Sequence, residues 1–300
     1  AFTGAAAALM VAMLAFASGK GTTAETAWSA LAVFIATALI APALVLALTP
    51  LVEMAFGYAS DLKLLELANL HHPALKELVL QAPGTYHHSI IMGSLVEAAA
   101  ESTGANALLA RTCAYYHDIG KGRNPAYFSE NIKGENPHDE LAPSMSATII
   151  KRHVTEGLEM ARQYKIPRRV ADAIPEHPGP RWLGYVCQKA EKELEGRENP
   201  TPIDVSAFRY PGPRPQSRET ALVMIADAVE ASSRSLKEPT ADALKQQVQK
   251  MISLILNDGQ LDECDLTLRD LSDMTDSFTR TLEGIYHGRH PYPVVPVTGQ

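Results

Sequence analysis

His117 and Asp118 stand side by side at the end of an apolar stretch that begins near Ala107. An ionised carboxylate in apolar surroundings is costly unless a cation or a set of hydrogen-bond donors compensates it. The adjacent imidazole therefore favours a bound metal ion, rather than a simple salt bridge, as the partner of Asp118.

Further ligands for such a metal would have to come from distant parts of the chain. The candidates are His88, His153, His177 and Asp227. Asp227 interrupts an apolar run, so we expect its carboxylate to be buried and compensated; an ion pair with Arg234 is the alternative. Imidazoles and carboxylates together suit iron, manganese or zinc better than magnesium or calcium. Spacing alone leaves open whether these residues form one site.

The charge balance of the chain restricts its partners. There are 27 Lys and Arg residues against 34 Asp and Glu residues, a net charge of −7. A net acidic chain argues against binding a nucleic-acid polymer, which requires Lys and Arg to neutralise phosphates. A small anionic substrate stays compatible, because a bound metal reverses the local field. The three cysteines form no CxxC pair and are typical of reduced thiols in a cytosolic domain.

Two apolar segments open the sequence. Residues 1–18 are almost entirely apolar, and residues 26–52 contain no charged side chain, whereas about 20 apolar residues suffice to cross a bilayer. The first segment lacks the basic residues with which a signal peptide begins. Neither segment has a polar face, which makes a pair of core helices in a globular domain the weaker alternative. We therefore expect residues 1–52 to be the last two transmembrane helices of a longer membrane region. One lysine in the connecting loop is too little to fix their orientation.

The rest of the chain has the periodicity of amphipathic helices and almost no strand signal, which predicts an all-α domain over residues 53–293. Residues 294–300 are expected to be a disordered tail. Thr85 is a plausible N-cap after Pro83-Gly84. The predicted helices that follow cover 86–102, 107–118, 141–164, 167–177, 179–194, 218–236, 241–257 and 266–287.

Two segments rich in glycine and proline interrupt this helical pattern. Residues 122–139 predict a long ordered loop directly after the His-Asp pair, and residues 199–216 carry five prolines together with Arg209 and Arg214. Long loops within a compact domain are often functional, although a purely structural proline-rich loop is an equal alternative here.

The set formed by His88, His117, Asp118 and Asp227 resembles the HD phosphohydrolase superfamily, whose helical domains bind metals and hydrolyse phosphate esters. Six longer motifs are similar to those of the seven-transmembrane HD proteins of bacteria, the PgpH type of cyclic-di-AMP phosphodiesterase. They are LLELAN (64–69), APGTYHHS (82–89), AYYHDIGK (114–121), GENPHD (134–139), FRYPGP (208–213) and ADAVEA (226–231). The resemblance implies a helical HD-domain bundle preceded by transmembrane helices.

The resemblance also implies roles for individual residues. One metal would be held by His88, His117, Asp118 and Asp227, and Asp118 would bridge to a second metal held by His153 and His177. Both ions would be iron or manganese. Lys121 would sit near the phosphate as an electrostatic partner, with plain surface exposure as its alternative. The nucleotide would be clamped by Arg209, Tyr210 and Arg214.

One departure from the family pattern falls beside a predicted ligand. The family normally shows two consecutive histidines followed by Gly-Thr, whereas this sequence has Pro178 directly after His177. Proline offers no ligand, so the second metal site lacks an imidazole. Three outcomes are open: Glu176 or water fills the gap, one metal binds weakly, or turnover of the usual substrate is slow or absent.

The function implied by the resemblance is hydrolysis of cyclic di-AMP to pApA by attack of a metal-activated water or hydroxide. The chain would lie in the bacterial inner membrane as a multi-pass protein with its HD domain in the cytosol. The alternatives are a nucleotide-binding membrane sensor with weak or no turnover, and an HD hydrolase of another nucleotide. The sequence leaves open the native metal, a homodimeric state and the signal sensed upstream.

Overall fold

The structure is a computed structural model that describes residues 9–14, 24–194 and 205–286. The chain divides into two compact units, residues 1–60 and 61–300. The predicted tail at 294–300 lies outside the described residues, as do residues 199–204 of the predicted proline-rich segment.

The described part of the first unit is helical except at residues 57–60. Helix α1 is described over residues 9–14, and helix α2 runs over Ala24–Phe56. Within α2, Ala27–Glu53 is long and apolar enough to cross a membrane, and none of the side chains described in this span is buried by protein. The second predicted span thus corresponds to one continuous helix. Most of the first, residues 1–18, lies outside the described residues.

The second unit is a bundle of helices. Its α-helices are α3 (Asp61–Leu67), α4 (Pro73–Gln81), α5 (Pro83–Thr103), α6 (Ala107–Tyr116), α7 (Pro143–Gln163), α8 (Arg168–Ala171), α9 (Ala173–Glu176), α10 (Gly184–Leu194), α11 (Arg218–Ser233), α12 (Ala241–Asn257) and α13 (Leu268–Tyr286). Four 3-10 turns lie at Ile119–Arg123, Pro125–Tyr127, Pro137–Asp139 and Val205–Phe208. In the described part of the chain the only β-type pairing is an isolated bridge between Trp182 and Arg209. The all-α prediction is confirmed.

Helix α11 runs through the core of this unit. Six consecutive residues, 221–226, have no exposed surface, as expected of a helix surrounded by protein on every side. It packs against α5, α6 and α12. Asp227 follows this run directly, so a helix in the core of the bundle carries a carboxylate near its centre.

Helices α5 and α6 form a hairpin through residues 104–106. Gly104 takes a left-handed conformation (φ 71°) that ends α5, a conformation that glycine adopts without steric cost. Asn106 then caps α6, because its side chain accepts a hydrogen bond from the Leu109 N–H. This hairpin carries His88 on one arm and delivers His117 and Asp118 at the end of the other.

The start of α5 differs from the prediction. The helix begins at Pro83, and its N-cap, Ala82, makes no side-chain hydrogen bond. Thr85 is therefore not the N-cap. The loop over 122–139 supplies the cap instead, because Asn131 Oδ1 accepts hydrogen bonds from the backbone N–H groups of Gly84 (2.9 Å) and Thr85 (3.2 Å). A proline at the first helical position fits the geometry of a helix start.

The predicted helix 167–177 is two short helices, α8 and α9. Pro175 explains the break: its ring clashes with the carbonyl four residues earlier and it has no N–H to donate, and α8 ends at that position, Ala171. The next helix, predicted from 179, starts at Gly184. The intervening segment contains Gly179 in a left-handed conformation (φ 53°).

Candidate metal centre

The first group of ligand atoms comes from three separate helices. His88 projects from α5, His117 and Asp118 follow α6, and Asp227 lies on α11. One atom from each of these four side chains lies within 4.8 Å of the others. His88, His117 and Asp118 are buried, whereas the Asp227 side chain keeps 22% of its surface exposed. The sequence led us to expect a fully buried Asp227, so this group has an opening on the Asp227 side.

The second group consists of Asp118, His153 on α7 and His177 after α9, all buried and again within 4.8 Å. Asp118 belongs to both groups. Its Oδ2 lies 3.0 Å from His117 Nε2, and its Oδ1 lies 3.5 Å from His153 Nε2 and 3.4 Å from His177 Nε2. One carboxylate oxygen thus faces each group, which is the arrangement of a bridging ligand.

Hydrogen bonds fix the orientation of all four imidazoles. Each Nδ1 contacts an acceptor: Glu230 Oε2 for His88 (2.7 Å), and the backbone carbonyls of Ala114 for His117 (2.7 Å), Ile150 for His153 (2.6 Å) and Ala173 for His177 (3.0 Å). Because a carbonyl oxygen can only accept, Nδ1 must carry the proton in the last three. In the neutral ring the lone pair is then on Nε2, which is the atom that faces the cluster.

The centre contains buried polar atoms without hydrogen-bond partners. These atoms are His117 Nε2, His153 Nε2 and both carboxylate oxygens of Asp118. Buried polar groups are normally paired, so a cluster of inward-facing lone pairs is costly without a cation. Nitrogen and oxygen donors of this kind suit a divalent transition metal or zinc. The residues therefore fit a metal centre in which Asp118 is shared.

Lys121 and Glu130 form an ion-pair chain with Asp118. Lys121 Nζ lies 2.7 Å from Asp118 Oδ2 and 2.9 Å from Glu130 Oε1, although the contact with Asp118 lacks the angles of a regular hydrogen bond. Burial alone would raise the pKa of Asp118, but the positive charge of Lys121 and the adjacent His117 imidazole hold it well below its usual value. The Lys121 side chain is 16% exposed, so the surface-exposure alternative is wrong.

Glu130 is a site residue that our sequence reading missed. Besides Lys121, its carboxylate accepts a hydrogen bond from the Thr85 hydroxyl (2.9 Å) at the start of α5. The loop over 122–139 thereby connects the helix that carries His88 to the lysine that neutralises Asp118. No periodicity marks Glu130; the only signal was its place in an ordered loop directly after the His-Asp pair.

The pKa of His88 in the first group is shifted in the opposite direction to the pKa values of the two histidines in the second group. Burial would lower the pKa of His88, but hydrogen bonds to Asp227 (3.2 Å) and Glu230 raise it to about 9. For His153, burial dominates and lowers the pKa to about 4. Burial also lowers the pKa of His177. The imidazoles of the second group are thus neutral near pH 7, the form in which histidine binds metals.

Arg234 does not pair with Asp227, so that alternative is wrong. Its guanidinium lies 2.8 Å from Glu230 Oε2 instead. Glu230, which is almost completely buried, thereby connects an arginine at the surface to His88 in the centre. Carboxylates that accept from a metal-binding histidine orient the ring and raise its basicity.

The structure also answers whether Glu176 replaces the ligand that Pro178 lacks. The Glu176 carboxylate is buried, but it accepts a hydrogen bond from the Gln216 backbone N–H (2.9 Å). It therefore points towards the start of α11 and is absent from both ligand groups formed by the described residues. Within the first of the three outcomes, Glu176 as the replacement ligand is therefore wrong, and a water ligand stays a prediction.

The three predicted nucleotide contacts lie in different surroundings. The Tyr210 ring packs against His153, with ring centroids 5.9 Å apart. Arg209 stacks on Trp182, 4.0 Å from the ring centroid. Arg214 pairs with Glu263 (3.4 Å) and Asp262 (3.7 Å), which precede α13. The structure thus brings Tyr210 to the second ligand group and gives Arg214 acidic partners elsewhere.

Two glycines allow the second group to form. A Cβ on Gly120 would lie 2.0 Å from the carbonyl oxygen of His153, and one on Gly157 would lie 2.9 Å from the Ile174 side chain. Only residues without a side chain permit this approach. The turn after Asp118 therefore lies directly against α7, which places His153 over the shared carboxylate.

The sequence of this chain is similar to a known domain family and to proteins that contain it. Residues 85–232 match the HD domain family model. The chain is 44% identical over 251 residues to the cyclic-di-AMP phosphodiesterase PgpH of Bacillus subtilis, covering 83% of this chain and 34% of the relative. It is 42% identical over 245 residues to PgpH of Listeria monocytogenes, covering 81% and 33%. The chain therefore spans about a third of the length of these curated relatives.

Solved structures cover the helical unit more fully. The crystal structure of the L. monocytogenes phosphodiesterase PgpH HD domain is 40% identical, with a TM-score of 0.67, and is matched over 100% of its length and 72% of this chain. A second structure, the same domain in complex with cyclic-di-AMP, matches with the same TM-score over 100% of its length and 74% of this chain. At this identity and coverage, the chain belongs to the PgpH-type HD-domain family.

Proposed function

We propose that this chain is a metal-dependent phosphodiesterase that hydrolyses cyclic di-AMP to pApA. The observation that carries the proposal is the placement of Asp118 between two groups of inward-facing imidazoles. This arrangement occurs in a chain that matches the whole length of an HD domain solved in complex with cyclic-di-AMP.

The ligand roles follow from which atoms face each other. In this proposal His88, His117, Asp118 and Asp227 hold one metal ion, and Asp118, His153 and His177 hold the other, with iron or manganese as the metals. When bound, such ions supply Lewis-acid polarisation of the phosphodiester and activation of the attacking water. The chain's own part is to hold the four imidazoles with Nε2 inward and to keep Asp118 ionised through Lys121.

Lys121 takes a modified role in this proposal. Its ammonium lies between Asp118 and Glu130, so it positions the shared carboxylate first and contributes positive charge near the phosphate second. Burial raises the pKa of the Tyr210 phenol, which keeps its hydroxyl protonated as a donor beside the second group. Arg209 and Tyr210 both stay nucleotide contacts in this proposal, and Tyr210 has more structural support than Arg214, which is paired with acidic residues.

The proposed location is the bacterial inner membrane, with a multi-pass anchor and the HD domain at the cytosolic face. The apolar helix Ala27–Glu53 supports an anchor. All three cysteines are free, as expected in a reducing compartment. A cyclic dinucleotide is the proposed small-molecule partner, and a homodimer stays open.

Product analysis tests the proposal. The full chain, purified in detergent, is incubated with Mn²⁺ or Fe²⁺ and cyclic di-AMP, and the products are resolved by chromatography. We expect pApA to accumulate with metal and to disappear with EDTA or in Asp118→Asn. The enzymatic function is wrong if neither metal yields pApA while the ligand still binds.

A second candidate is a nucleotide-binding sensor with weak or no turnover. The observation that favours it is that Pro178 removes a ligand from the second group and Glu176 does not replace it. Metal content separates the two candidates: two metals per chain with turnover favours the enzyme, whereas one metal with ligand binding alone favours the sensor. A panel of other nucleotides tests the third reading, an HD hydrolase with a different substrate.

A further inference from the structure

Arg181 lies at the opening of the metal centre, in the segment that departs from the family pattern. A terminal nitrogen of its guanidinium is 3.7 Å from Asp227 Oδ2, and its side chain is one-quarter exposed. Asp227 turns its other carboxylate oxygen inward, towards His88 Nε2 (3.2 Å). The guanidinium therefore lies between the inner ligands and the solvent.

The guanidinium has few partners of its own. Its Nε donates to the Pro178 carbonyl (3.1 Å), and among the described residues this is its only hydrogen bond, because 3.7 Å is too long for one to Asp227. An arginine has five N–H donors in a planar fork. Held at Nε, Arg181 presents its outer donors at the edge of the site, the geometry that suits two oxygens of a phosphate.

The backbone around Arg181 is fixed by hydrogen bonds to the segment that contains Arg209 and Tyr210. The Tyr210 N–H donates to the Arg181 carbonyl (3.1 Å), and the Leu183 N–H donates to the Phe208 carbonyl (2.9 Å). Arg209 also donates to the Pro180 carbonyl (2.8 Å). These bonds hold Arg181 next to Tyr210 before any ligand arrives, so little ordering is needed on binding.

We propose that Arg181 is a phosphate-binding residue of the cyclic dinucleotide site, donating two N–H groups to the non-bridging oxygens of a substrate phosphodiester at the Asp227 side of the centre. This role rests on the proposed function. It places a fixed positive charge in the same segment in which Pro178 removes a metal ligand.

The test measures ligand affinity separately from turnover. The full chain in detergent, loaded with Mn²⁺, is titrated with a hydrolysis-resistant phosphorothioate analogue of cyclic di-AMP. We expect Arg181→Gln to weaken binding by about 10- to 100-fold, the range for hydrogen bonds to a charged group. Arg181→Lys, which keeps the charge but loses the fork, should show a smaller loss. Metal content should match that of the unchanged chain in both variants.

The matched control is Arg269→Gln, which removes the same charge from an exposed arginine on α13 and should leave the affinity unchanged. Arg181 has no such role if its Gln variant binds the analogue as tightly as the unchanged chain, or if it loses metal as well as affinity. In the first case hydrolysis of cyclic di-AMP by the unchanged chain would still support the proposed function. If the unchanged chain neither binds nor hydrolyses cyclic di-AMP, both proposals are wrong.

Discussion

The two ligand groups share Asp118 but are built on different supports. The first draws His88 and Asp227 from α5 and α11, helices of 21 and 16 residues that pack against each other in the core. The second draws His153 from α7 and His177 from the end of α9, a helix of four residues that contains Pro175. The first group has four protein ligands, and the second has three.

This difference shows that a shared carboxylate does not make the two sites equivalent. In the first group, Glu230 holds the His88 ring and is itself paired with Arg234. In the second, both rings are held by backbone carbonyls, and Pro178 occupies the position where the family resemblance implies a further histidine. We expect the first group to bind its metal more tightly, and the following experiments test that order.

The largest effect is expected for Asp118→Asn. The variant removes the charge that both groups share, so we expect both metals to be lost and turnover to fall by about 10³-fold or more. Metal analysis and product formation are measured on the same sample. Asp265→Asn, on an exposed loop, is the matched control. Retention of both metals in Asp118→Asn would contradict the bridging role.

Glu230→Gln is expected to act on the first group alone. The amide keeps the shape of the side chain but is a weaker acceptor for His88 Nδ1, and loss of such a support typically lowers metal affinity by about 10- to 100-fold. Titration with Mn²⁺ should show the loss at the tighter site only. Glu238→Gln, at an exposed position, serves as the control. Equal weakening of both sites would mean that the groups are not independent.

Pro178→His should strengthen the second group. The added imidazole restores the ligand that the family pattern contains, so we expect the second metal to bind at least about tenfold more tightly and turnover to rise. Counting metals per chain by elemental analysis, before and after dialysis, measures the change. Pro239→His introduces an imidazole in the loop before α12 and should change neither quantity. No gain from Pro178→His would show that the second site is already complete.

The smallest effect is expected for Gly157→Ala. The new Cβ would lie 2.9 Å from the Ile174 side chain, and overpacking of this kind costs about 1–3 kcal/mol of folding free energy. Because Ile174 lies on α9, which leads into His177, α7 and α9 would move apart, and we expect a few-fold loss of metal affinity at the second group alone. Denaturant unfolding and Mn²⁺ titration measure the two effects.

Gly284→Ala is the control for the preceding variant. Gly284 lies in α13, and a Cβ there meets nothing within 4 Å. Replacing a helical glycine by alanine stabilises by roughly 0.5–1 kcal/mol, so this variant should unfold at slightly higher denaturant concentration. A loss of metal affinity at the first group in Gly157→Ala would show that α7 supports both ligand groups rather than the second group alone.

The sequence predicted the helical class because its apolar residues recur at helical spacing over most of the second unit. The match is closest for α12, predicted and observed at Ala241–Asn257. It is poorest where a proline lies inside the pattern, as with Pro175, because a local break overrides the periodicity. The cap of α5 was mispredicted for a different reason: its donor groups are satisfied by Asn131, 46 residues further along the chain.

For the site, the sequence alone indicated which side chains are expensive to bury. Asp118 and Asp227 stand in apolar surroundings, and the motifs around them resemble one family. The candidate ligands could therefore be named from the sequence. Those criteria depend only on residue type and near neighbours. The departure from the family pattern at Pro178 was also identified without the structure, because it depends only on which residue follows His177.

Only the tertiary structure decided how these groups are compensated. That Asp118 turns one oxygen to each group, that Glu130 and Glu230 support the centre, and that Glu176 faces Gln216 all depend on contacts between distant segments. Such contacts carry no local pattern, because each charged side chain could pair with any of several partners of opposite charge. Packing of α5, α7 and α11 selects one of them.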